Sequence, residues 1–312
     1  MEALPTNIII KFNPDTLEAV RKDIGLDQPG RIDEAVDILE DWIRKQSHFV
    51  KKDFPRDYLE RTVVISKGLL ERSKEKIEKL CTFRTLMPEF FSTTSVDEFS
   101  VFEGMMTHAH LPRLTKENYR VYVFKLSDQD FGSGLILKYY RNIILLSEYL
   151  RKYDYCAGFQ LIMDYRNANI MNFVTKVNPL ELRQILTLLT EGYGMRLKGL
   201  HIITSSKMVD TLVMFFKQVL SAKLGSRIHV HKIVETLHEF VPRDILPIEY
   251  GGKEKPLKEL NEQWLEVLNS QEYKLYFEEM QKANTNESCR QSNNFNEEYA
   301  GMPGSFRALA VD

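Results

Sequence analysis

The chain has 312 residues, of which 43% are hydrophobic, 28% charged and 11% aromatic, with only 15 glycines and 11 prolines. This composition excludes collagen-like, low-complexity and broadly disordered classes, and the length leaves room for about two hydrophobic cores. Lys and Arg number 42 against 44 Asp and Glu, a net charge of -2, so no overall basic field draws the chain to nucleic acid and any anion site has to be local.

The opening MEALPTNIIIKF carries an apolar run too short for a secretory signal, and no later stretch approaches the roughly 18–20 apolar residues of a membrane span. From about Pro14 to Leu80 the pattern is helical. Ile32, Val36, Leu39 and Ile43 recur at three- and four-residue steps, and a second series runs Leu59, Val63, Leu69, Ile77, Leu80. Asp33 and Pro55-Arg56-Asp57 are start signals for the two series. Phe90 to Leu114, broken by Ser, Thr, Gly104 and Pro112, reads as an irregular connection.

The texture then changes. VYVFKLS (Val121–Ser127), CAGFQLIMDY (Cys156–Tyr165), KGLHIITS (Lys198–Ser205), RIHVH (Arg227–His231) and ILPIEY (Ile245–Tyr250) read as strands. Leu135–Lys152, Pro179–Glu191, Lys207–Leu224 and Lys232–Phe240 between them read as helices, an alternation that implies crossovers and a largely parallel sheet. A closing helix is expected from Pro256 to Met280, followed by a polar, flexible tail. The expected division is a helical lobe over 1–95, a sheet lobe over 96–252, a C-terminal helix over 253–283 and the tail over 284–312.

Signals for catalysis are weak. GSGLIL at Gly132–Leu137 lacks the last glycine of a dinucleotide fingerprint, GGKE at Gly251–Glu254 lacks the rest of a phosphate loop, and no GxSxG elbow is present. The three cysteines, Cys81, Cys156 and Cys289, are widely spaced and form no CxxC, which favours a reducing compartment over disulfides or a thiolate metal site. His108/His110 and His229/His231 each place two imidazoles on one side of an extended segment, but no third metal ligand is suggested, so both pairs and the strand residue His201 read as structural. No cofactor and no metal are expected.

Met208–Leu220 stands out. Val209, Leu212, Val213, Phe216 and Leu220 form one helical stripe while Met208, Met214, Phe215 and Val219 lie off it, so the helix is either a central core element or a lid with an apolar outer side. Arg196 and Lys198 lie on one side of a strand entrance, and Lys223 and Arg227 follow the greasy helix, so the four cations can converge on one anion. Tyr140, Ile143 and Ser147 share a helix face, and Phe159, Leu161 and Met163 alternate along one strand, as cavity walls or as ordinary core.

Taken in order, YGMRLKGLHIITSSKMVDTL (Tyr193–Leu212), AKLGSRIHVHKIVETL (Ala222–Leu237) and ILPIEYGG (Ile245–Gly252) resemble the CRAL-TRIO lipid-binding and transfer family, in particular its tocopherol-transfer members. The resemblance implies an α/β fold in which a helical N-terminal lobe precedes a mostly parallel sheet flooring an apolar pocket, closed by a mobile gate helix. It places the gate at Lys207–Leu224. It puts Tyr140, Ile143, Ser147, Phe159, Met163, Val177, Leu188, Leu189, Met195, Leu197 and Leu200 at pocket-lining positions. Arg196, Lys198, Lys223 and Arg227, with Lys67 of the N-terminal lobe, match a phosphoinositide-binding cleft. Three departures stand beside it: Thr204-Ser205-Ser206 at the gate hinge, Tyr193-Gly194-Met195-Arg196 for Tyr-Pro-x-Arg, and VVISKGLLERSKEKI for a Leu-Arg-Phe-Leu-Arg-Ala run.

The resulting expectation is a cytosolic, peripherally membrane-associated carrier without enzymatic activity. Its partners would be one small hydrophobic ligand, such as a tocopherol, retinoid, carotenoid or other isoprenoid-like lipid, and a phosphoinositide membrane surface, with no nucleic acid. The rival readings are a lipid-responsive adaptor acting through a protein partner and an α/β enzyme on a hydrophobic substrate.

Overall fold

The three- and four-residue spacing of apolar side chains yields four helices at the N-terminal end of the chain. A computed structural model describes residues 4, 7–92, 99, 101–127 and 132–290. Helices α1 (Thr16–Asp23), α2 (Arg31–Lys45), α3 (Arg56–Ile65) and α4 (Leu70–Leu86) form the first lobe. Helix α2 buries Ile32, Val36, Leu39 and Ile43 along one stripe, and α3 starts directly after Pro55, which serves as its N-cap. The second apolar series is cut in two at Gly68, where φ is +71° and a Cβ would stand only 2.9 Å from the Ile24 carbonyl oxygen. Leu69, expected inside, is half exposed at that break.

Five strands make one sheet in the order β1 (Met106–His110), β2 (Tyr119–Ser127), β3 (Gly158–Asn167), β4 (Leu197–Ile203), β5 (Ile228–His231). Strand β1 runs antiparallel to β2 and every other pair is parallel. The parallel steps are bridged by α5 (Ser133–Tyr153), then α6 (Ile170–Lys176) and α7 (Pro179–Thr187), then α8 (Val209–Val219) and α9 (Ala222–Gly225). A sequential strand order with right-handed crossovers puts these helices on one face of the sheet. The other face meets the chain after β5, where Gln160 donates to the Phe240 carbonyl and Tyr250 donates to Asp164.

Several expectations are corrected. Strand β1 lies inside the supposed irregular connection, since MTHAH alternates too briefly to announce itself. ILPIEY is no strand but two 3-10 turns, Arg243–Ile245 and Ile248–Tyr250, because Pro247 lacks a ladder donor and the chain folds tightly back at Gly251-Gly252. A Cβ at Gly252 would stand 1.8 Å from the Leu246 carbonyl, so only glycine fits there. Residues Val234–Glu239 are likewise 3-10, and Pro179–Glu191 ends α7 early in a π turn, Leu188–Gly192. Lys207–Leu224 is interrupted at Leu220–Ser221, where Ser221 caps α9.

The closing helix is two, α10 (Leu257–Asn269) and α11 (Gln271–Gln281), with Ser270 capping the second through Tyr273 N–H. Met280 and Ala283 enter the core of the N-terminal lobe beside Ile43, Leu59 and Ile77. The tail expected from residue 284 is fastened as far as Arg290, which pairs with Glu78 and Glu287 and donates to Thr82. Residues 291–312 lie outside the described ones.

Candidate lipid cavity and adjoining basic cleft

The alternation of β3 turns Phe159, Leu161 and Met163 to the helical face of the sheet, and Tyr140, Ile143 and Ser147 of α5 face them across a cavity of about 190 Å3. Val177, Leu189, Met195, Leu197 and Leu200 complete the expected set at the wall. Leu188 is the exception. It is wholly buried in the π turn and is not among the lining residues; its neighbour Leu189 takes the wall. The cavity exceeds the ~150 Å3 of engineered apolar cavities that stay dry and admit small hydrocarbons. No Lys, Arg, Asp or Glu is among its lining residues.

Helix α8 closes one side. Leu212, Phe215 and Phe216 are buried, whereas Met214 is 64% exposed beside the exposed Asp210, Lys217 and Gln218, and Met208 at the N-cap is 38% exposed, so the helix lies at the surface with apolar points on its outer side and is not a central core element. Of the stripe Val209, Leu212, Val213, Phe216 and Leu220, only Phe216 and Leu220 reach the cavity wall; Leu212 is buried in the core, and Val209 and Val213 are half-buried. Phe215, off the stripe on a helical wheel, packs inward against Phe173 and Phe216.

Arg196, Lys198, Lys223, Arg227 and Lys67 all line one open cleft of about 640 Å3. Sequence patterning missed four more cations there, Arg72, Lys76, Lys79 and Arg183, because their convergence is tertiary. Lys79 is bound to Glu191 at 2.6 Å, while among the described residues none of the five expected cations forms an ion pair. Burial lowers the Arg196 pKa from its usual value, the mark of a cation with too little compensation. Burial, then the neighbouring Arg151 and Lys79, push Lys76 down to about 8. Lys67 holds a left-handed φ of +61°, an uncommon and mildly costly conformation for a lysine.

Cavity and cleft share a wall. Leu186, Thr190, Met195, Leu197, Leu220 and Leu224 belong to both. Arg227 donates to the Leu197 carbonyl, and Lys76 to that of Thr190 at 3.4 Å, so cations are attached to the partition itself.

The sequence from just before β1 to the Gly251-Gly252 turn, residues 105–252, matches the family described as CRAL/TRIO domain. This stretch is a CRAL/TRIO domain. Over 253 residues the chain is 22% identical to mouse alpha-tocopherol transfer protein-like, covering 80% of this chain and 73% of the relative. It is also 22% identical to Clavesin-1 of Xenopus laevis over 258 residues, 80% and 76% of the two chains. The solved structure of Sfh5 is similar over 87% of this chain and 99% of its own, at 13% identity and a TM-score of 0.44. CRAL/TRIO proteins bind and transfer lipids, and the domain here contains both the cavity and four of the five expected cleft cations. Lys67 lies outside it, on the helical lobe. Among the described residues no helix is long and apolar enough to cross a membrane.

Proposed function

We propose that this protein carries one hydrophobic lipid in the cavity and delivers it to membranes displaying phosphoinositides. The observation that carries the reading is the shared partition: an apolar chamber and a cleft rich in cations back onto the same six residues, two of them just beyond α8. A ligand that buries roughly 400 Å2 of apolar surface at about 25 cal/mol per Å2 gains on the order of 10 kcal/mol before association and ordering costs. That suffices for sequestration and leaves release to the membrane. The cleft supplies the address. Cations near an anionic lipid surface contribute about 1 kcal/mol each, enough for reversible docking. Docking brings the exposed Met208 and Met214 to an apolar medium in which α8 can leave the cavity mouth.

Vesicle-to-vesicle transfer with purified protein tests the division of labour. Arg196→Ala with Arg227→Ala should slow transfer to phosphoinositide vesicles several-fold and leave lipid uptake from neutral vesicles unchanged. Equal loss of both activities would refute it.

A further inference from the structure

An apolar cavity has no need of polar side chains in its wall, and any that occur there must find partners. Most in this wall do. Ser147 donates to the Ile143 carbonyl at 2.6 Å and Thr190 to the Leu186 carbonyl at 2.8 Å. Gln160 is engaged by His201 and Phe240 on the opposite face of the sheet.

One corner differs. His110, at the end of β1, lines the cavity and is 5% exposed, yet among the described residues neither ring nitrogen has a hydrogen-bond partner. Its ring is 4.7 Å from that of Tyr122, whose hydroxyl meets the Tyr139 hydroxyl at 2.9 Å. Two hydroxyls facing each other need only one proton, so the other O–H of the pair has no acceptor. The strand is held in place by α10, where Trp264 donates to the His110 carbonyl at 2.8 Å and Asn261 to the His108 carbonyl at 2.9 Å, and the Trp264 ring meets the His110 ring edge-on at 5.8 Å. Burial, with Arg120 and His108 nearby, keeps His110 neutral, so it presents one N–H and one lone pair.

We propose that this corner, His110 with the Tyr122–Tyr139 pair, binds the hydroxyl of a neutral lipid alcohol. The inference rests on the cavity being the lipid site of the preceding reading. A hydroxyl both donates and accepts, which matches an imidazole and a phenol pair that each have one capacity of either kind to spare. An ether lacks the donor, and an alkane leaves all of these groups unsatisfied. A carboxylate would enter with no cation in the wall to pair with it. Strand β1 forms the sheet edge opposite β5, the strand that α9 enters, so the alcohol lodges hydroxyl-first with its tail toward α8.

The test uses the full chain, stripped of lipid, and radiolabelled octadecan-1-ol, its methyl ether, octadecane and octadecanoic acid in phosphatidylcholine vesicles, scored by protein-bound label. The alcohol should bind about tenfold more tightly than the ether and the alkane, and more tightly than the acid. His110→Phe should erase that preference, bringing alcohol, ether and alkane to the same affinity in the variant. Tyr139→Phe, which removes a single oxygen and keeps the ring, should reduce it in the same direction. Equal binding of all four probes by the native chain, tighter binding of the acid, or loss of the preference only in Tyr140→Phe, whose phenol also lines the cavity, would overturn the assignment while leaving the carrier reading in place. Binding of no probe at all would overturn both.

Discussion

Arg183 of α7 donates from its guanidinium to the backbone carbonyl of Gln218 in the last turn of α8, at 3.0 Å. That carbonyl is one of the four that a helix end leaves unbonded, and a cation there also suits the helix dipole. Arg183 lines the basic cleft as well, so a phosphate in the cleft competes with the helix for the same guanidinium. Arg183→Leu should raise amide exchange across Val209–Val219 by several-fold and speed lipid release. Global stability should fall by no more than about 1 kcal/mol, because the bond is exposed. Unchanged exchange in α8 would show that the contact does not restrain the cover.

Two neighbouring leucines separate packing from binding. Leu188 is wholly buried in the core and Leu189 lines the cavity. Leu188→Ala should cost roughly 2–5 kcal/mol in urea denaturation. Leu189→Trp should block lipid uptake while leaving the denaturation midpoint of the lipid-free protein nearly where it was.

Lys76 makes anion binding pH-dependent. With its pKa at about 8, chiefly through burial, it carries its charge below that pH and loses it above. An anion in the cleft favours the charged form, so affinity for phosphoinositide vesicles should fall several-fold as pH rises from about 7 to 9. Lys76→Arg should flatten the profile, since a guanidinium stays protonated throughout. An identical fall in the arginine variant would assign the titration elsewhere.

Glu148 of α5, wholly buried, accepts from Arg84 of α4 at 2.8 Å, from Tyr193 at 2.9 Å and from Tyr276 at 3.2 Å. It thereby ties α4, α5, α11 and the residues before β4 to one carboxylate. Glu148→Gln leaves the Arg84 charge buried without its counter-ion and should cost about 3–5 kcal/mol, measurable by chemical denaturation.

Periodicity made the helical lobe, the parallel strands and the cover helix legible, because each repeats one chemical choice over several turns or alternations. The strand β1 was not, since five residues are too few for a pattern, and the 3-10 turns after β5 were not, since Pro247 and Gly252 act through steric contacts with distant carbonyls. Resemblance brought most of the cavity wall within reach, yet it misplaced Leu188, because the π turn shifts which side of the chain faces inward. His108 and His110 stand out in the sequence only as a pair at a spacing that suits a metal. That His110 stands unpartnered beside Tyr122 emerges only when β1 is seen at the sheet edge. Arg72, Lys76, Lys79 and Arg183 join the cleft through the docking of α4 and α7, which no local spacing encodes.

The strand bearing His110 depends on α10, and α11 with the turn beyond it fills the core of the N-terminal lobe, where Thr285 pairs with Phe49 and Asn286 donates to the His48 carbonyl. A fragment ending at Gly252, where the family likeness stops, would therefore lose both a strand anchor and a plug from the opposite lobe. The smallest autonomous piece of this protein has to retain a stretch of C-terminal sequence that the family signature leaves out.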